Sequence, residues 1–77
     1  MREGNTKARI VEAAFGLFAE QGYHAVSVRD IAAAVGIKDA SLYNHFPSKQ
    51  AIFDAVLAAQ LERTRAVFEE QGVMTAP

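Results

Sequence analysis

The sequence predicts an all-α fold: three short helices followed by one long one. Three observations carry that prediction. Apolar residues recur at three- and four-residue steps, no stretch alternates apolar and polar as a strand would, and Gly22, Gly36 and Pro47 divide the chain at helix-sized intervals.

The first helix is predicted from about Lys7 to Gln21. Asn5 or Thr6 supplies an N-cap, because a side-chain oxygen can accept the free N–H groups of the first turn. Ile10, Ala13, Ala14, Leu17 and Phe18 fall on one stripe and form its buried face. Gly22 follows as a left-handed C-cap, a conformation that costs glycine little, and Tyr23 folds back onto the core.

The second helix is predicted over Val28 to Val35. Ser27 is its N-cap, and Asp30 stands at capping-box spacing. Ile31, Ala32 and Val35 face inward, while small Ala32 and Ala33 allow close approach of the next helix. Gly36 makes the turn, where a positive φ suits glycine, and Ile37 plugs it. The third helix covers Asp39 to His45, with Leu42 and Phe46 turned to the core. Lys38, Asp39, Ser41, Asn44 and His45 are then left to solvent or a ligand.

Pro47 stops the third helix, and Ser48 caps a fourth from about Lys49 to Glu70, a rod of about 33 Å at 1.5 Å per residue. Ile52, Phe53, Val56 and Leu57 pack it on the first three helices. Leu61, Val67 and Phe68 have nothing in these residues to cover them fully. Gly72 ends the helix, and Thr75-Ala76-Pro77 reads as the cap of a further one.

From Ser27 to Lys49 the chain therefore reads as a capped helix, a glycine turn, a second short helix and the start of another. This helix-turn-helix is how many proteins present one helix to the major groove of DNA. Charge adds no independent support, since the net charge is −1 and DNA-binding domains often carry an excess of base. Residues 1–50 hold six basic against five acidic side chains, and residues 51–77 hold two against four.

Three segments carry a more specific signal: RIVEAAFGLFAEQGY (Arg9 to Tyr23), SVRDIAAAVGI (Ser27 to Ile37) and SLYNHFPSKQAIF (Ser41 to Phe53). Together they resemble the N-terminal DNA-binding domain of the tetracycline-repressor (TetR) family of bacterial transcription regulators. The likeness covers about Lys7 to Leu57. It is specific because a generic helix-turn-helix lacks the LF…GY ending of the first helix and the LYxHFxxK block.

The resemblance implies a homeodomain-like helix-turn-helix unit over residues 1–57. Residues 58–77 would then lead toward a ligand-binding and dimerisation domain outside this sequence, so the chain is expected to be a piece of a longer protein. It also implies a homodimer of the full-length protein on double-stranded DNA, at a near-palindromic operator, released by a small-molecule inducer. By the same likeness, Tyr43 and Lys49 would reach phosphates, Arg29 a phosphate or base edge, and His45 a phosphate. Lys38, Asp39, Ala40, Ser41 and Asn44 complete the expected DNA-facing set; an amide such as Asn44 can pair bidentately with adenine. Lys38 and Asp39 depart from the serine cap and the neutral or basic residue usual there, so the operator sequence cannot be inherited from relatives.

The remaining classes are weaker. A helical protein-interaction module that keeps the fold but pairs through its fourth helix is the alternative reading, suggested by the weak basic balance and by Leu61, Val67 and Phe68. Catalysis is not expected: His24 and His45 lack metal-ligand spacing, Ser27 and Ser48 are spent as caps, and no glycine-rich phosphate loop occurs. No cofactor or metal is implied. The chain has no cysteine, signal-peptide-like start or membrane-length apolar run, and a cytoplasmic location is expected.

Overall fold

The computed structural model describes the chain from Asn5 to Gln71, with side chains through Arg65. Its elements are α1 (Thr6–Gln21), a 3-10 turn (Tyr23–Ala25), α2 (Val28–Val35), α3 (Asp39–His45) and α4 (Lys49–Gln71). All four helices lie within about a residue of their expected bounds, and no strand occurs among the described residues. The expected Gly72 stop and the Thr75-Ala76-Pro77 cap lie outside the described residues. So do the side chains of Val67 and Phe68.

Helix α1 packs against α2 and α4, and α2 packs against α3. Their shared core is Ile10, Ala14 and Phe18 of α1, Val26, Ile31, Ala32 and Val35 around α2, Leu42 and Phe46 around α3, and Ile52 and Val56 of α4. Ala13, Leu17, Ile37 and Phe53 are half-buried at its edge. Leu57, expected to pack inward, is 48% exposed, because the step from buried Val56 to the next residue turns about 100° around α4, away from the core. Ala33 is exposed, so close approach between α2 and its neighbours is left to Ala32.

The helix ends show where local chemistry sets the fold. At α2 the Asp30 N–H donates to Ser27 Oγ (3.0 Å), and the Ser27 N–H donates to Asp30 Oδ2 (2.9 Å), a complete capping box. At its other end Gly36 is left-handed (φ 87°, ψ 30°). The Ile37 N–H reaches the Ala32 carbonyl at 3.0 Å and the Gly36 N–H the Ala33 carbonyl at 3.2 Å, the paired bonds of a Schellman motif. Ser48 caps α4 as expected, accepting from the Ala51 N–H at 3.1 Å.

Three caps differ from expectation. Asn5 holds the N-cap of α1 without a side-chain cap bond, and Thr6 is already helical. Lys38, where the family resemblance puts a serine cap, holds the N-cap of α3 without a side-chain bond, and Asp39 lies in the first turn. Gly22 has a positive φ (92°) but an extended ψ (152°), so the chain leaves α1 straight into the 3-10 turn instead of curling left-handed. That turn brings Tyr23 back onto the core. Its ring centroid lies 5.4 Å from Phe18 and 5.0 Å from Phe53, and the latter two are 5.6 Å apart.

Candidate nucleic-acid interface

The two helices of the motif meet through their apolar faces, so their polar faces are turned outward by default. Helix α3 has a single buried residue, Leu42, with Phe46 buried just beyond its end. Lys38, Ala40, Ser41, Tyr43, Asn44 and His45 are all exposed, and Tyr43 keeps half its surface. A seven-residue helix held by one core side chain thus offers nearly its whole circumference.

Arg29, in the first turn of α2, is paired across the motif with Asp39 at the start of α3, Nε to Oδ2 3.6 Å. The arginine side chain is 83% exposed, and the pairing is with Asp39 instead of its neighbour Asp30. Asp30 is committed to the capping box, where the backbone N–H and then the hydroxyl of Ser27 hold its carboxyl below the ordinary carboxylate value. Arg29, Asp39, Tyr43, His24 and Lys49 border one shallow concavity between α2, α3 and the preceding turn.

Lys49 is the residue whose placement differs most from a free surface lysine. Its ammonium donates to the Tyr23 carbonyl at 2.7 Å and to the Val26 carbonyl at 2.9 Å, and lies 4.1 Å from the centre of the Tyr23 ring. It is half-buried and turned toward the protein. The structure therefore brings Arg29, Lys38, Asp39, Ala40, Ser41, Tyr43, Asn44 and His45 to the outer side of the motif, with Lys49 at its inner border.

Two cations passed over in the sequence also support this surface. Arg9 of α1 donates from Nη2 to the Val35 carbonyl at 2.9 Å, closing a free carbonyl at the end of α2. A cation there also favours the negative end of the helix dipole. Lys7 stands 5.4 Å from the centre of the Phe46 ring, beside the end of α3. Only the i, i+3 and i, i+4 periodicity of α1 could have hinted at either, because both partners lie far along the chain.

Among the described residues no three His, Asp or Glu side chains converge as a metal site would require. No helix among them is long and apolar enough to cross a membrane.

This geometry agrees with the similarity to known proteins. The family described as bacterial regulatory proteins, tetR family, matches residues 10–56. The chain belongs to the TetR family. These residues form its helix-turn-helix DNA-binding domain. The HTH-type transcriptional regulator UidR of Escherichia coli K12 is 38% identical over 65 residues, covering 84% of this chain and 33% of UidR. The transcriptional repressor KstR2 of Rhodococcus jostii RHA1 is 45% identical over 56 residues, or 73% of this chain and 28% of KstR2. Among solved structures, the flavonoid-responsive regulator FrrA superposes with a TM-score of 0.78 at 39% identity, over 83% of this chain and 33% of FrrA. The chain thus spans about a third of the length of these relatives. UidR is named a transcriptional regulator and KstR2 a transcriptional repressor.

Proposed function

We propose that this domain reads a near-palindromic operator as half of a homodimer and represses transcription by occupying the promoter. Helix α3 enters the major groove. Ser41, Asn44 and Lys38 face base edges, Tyr43 and His45 reach phosphates, and Arg29 reaches a phosphate or a base from the first turn of α2. Residues 1–57 act as the DNA-binding unit, and residues 58–77 lead to a domain that dimerises and binds a small-molecule inducer. Inducer binding alters the spacing of the two recognition helices, and the operator is released. The protein acts in the cytoplasm and has no catalytic step.

The observation that carries this reading is α3 itself, a helix anchored by Leu42 alone with its polar positions exposed beside Arg29. Repression and ligand control draw on KstR2 being named a repressor and FrrA a flavonoid-responsive regulator. Leu57 and Leu61, 48% and 70% exposed on α4, are an apolar surface suited to the remainder of the longer protein.

Selection of duplexes from a random DNA pool tests the proposal. It expects enrichment of a two-fold related motif with half-sites about one helical turn, 34–36 Å, apart when the full-length dimer is used. Replacing Tyr43 by Phe and Asn44 by Ala together should abolish enrichment. No enrichment by the full-length protein, with intact self-association through α4, would instead favour a protein-interaction module.

A further inference from the structure

We propose that Lys49 is a positioning residue for DNA docking, and that it acts by pinning the turn before α2 to the start of α4 instead of ligating a phosphate. The inference rests on the DNA-reading function proposed above. A lysine whose main task is to ligate a phosphate directs most of its three donors outward. Here two of its three N–H donors are spent on the Tyr23 and Val26 carbonyls at 2.7 and 2.9 Å, and the ring of Tyr23 lies against the cation. Both carbonyls belong to the segment that leaves α1 and leads into Ser27.

The consequence follows along the chain. Val26 is 1% exposed and immediately precedes Ser27, whose hydroxyl starts α2. Arg29 lies in that first turn. Fixing the Val26 carbonyl from α4 therefore fixes where α2 begins and where Arg29 projects. Tyr23 is held from the same side, since its hydroxyl donates to Gln50 Oε1 at 3.4 Å. The first turn of α4, the 3-10 turn and the N-terminus of α2 move as one body. Anything that displaces α4 is passed through Lys49 to the DNA-facing surface.

The test compares this chain with Lys49→Met and Lys49→Arg on a duplex selected by the wild type, at a temperature where each protein is fully folded. The Met variant should bind about tenfold more weakly, because the surface must now be ordered on binding. Its slope of log affinity against log salt should stay that of the wild type. The Arg variant keeps the charge but carries a longer, planar head, and should lose affinity similarly. In the DNA-free wild type, NMR should show the Lys49 ε-methylene protons shifted upfield by the Tyr23 ring and a slowly exchanging ammonium.

A slope shallower by about 0.9 in the Met variant, the share of one phosphate, with wild-type binding by the Arg variant, overturns the proposal. So does unchanged affinity per folded molecule in both variants, which would leave Lys49 a purely structural role. A wild type that binds no duplex overturns the function on which the inference rests. The Lys49 resonances, read without DNA, then distinguish that failure from the absence of the pin.

Discussion

At the scale of single residues, the DNA-facing side is governed by which side chains are already engaged. Asp39 occupies Arg29 through Nε, which leaves both terminal nitrogens of the guanidinium free to point at a base or phosphate. Asp39→Ala should therefore redistribute base preference at one operator position in a selection experiment. Its effect on stability should stay within about 1 kcal/mol, since the pair is exposed. Ser27→Ala should cost about 1 kcal/mol in urea unfolding, through loss of the α2 cap. Asp30 adds a pH dependence. Its carboxyl is held below its ordinary value in the folded state, so its contribution is complete above the unfolded-state pKa and is lost as pH falls through the lower folded-state one. The stability gap between wild type and Asp30→Ala should thus be open at neutral pH, begin to narrow near pH ~3.9 and close below Asp30's own value.

At the scale of elements, the helices were legible because their signals are local. Ser27, Gly36, Pro47 and Ser48 each act within a few residues, and a capping box or a Schellman turn is complete in one short stretch. The 3-10 turn after Gly22 was not legible, because three residues carry no period and the turn is set by Tyr23 packing on Phe18 and Phe53. Nor were the inward roles of Arg9 and Lys49, whose acceptors lie 26 and 23 to 26 positions away. A long polar side chain looks the same in sequence whether it meets water, phosphate or a carbonyl. Arg9→Ala should expose this difference. It should free the Val35 carbonyl and lower stability by about 1 kcal/mol, with faster amide exchange at the end of α2 and no change in salt slope.

At the scale of the whole molecule, one small core supports every element, so core damage is global. Leu42→Ala should cost about 2–5 kcal/mol, enough to unfold a domain of this size, and would be seen as loss of the cooperative melting transition. Part of the acidic charge is offset locally: Arg63 of α4 pairs with Glu12 of α1 at 3.7 Å, and Arg65 lies near Glu62 at 3.9 Å. The family assignment was readable because it rests on the residues that build this core and its turns. The operator was not, since on the proposed reading it depends on α3 positions that the core leaves unconstrained. That freedom has an evolutionary meaning. With Leu42 the one buried residue of α3, its outward positions can change without a folding penalty. A lineage carrying this scaffold can acquire new target genes by point substitution while the domain that carries them stays intact.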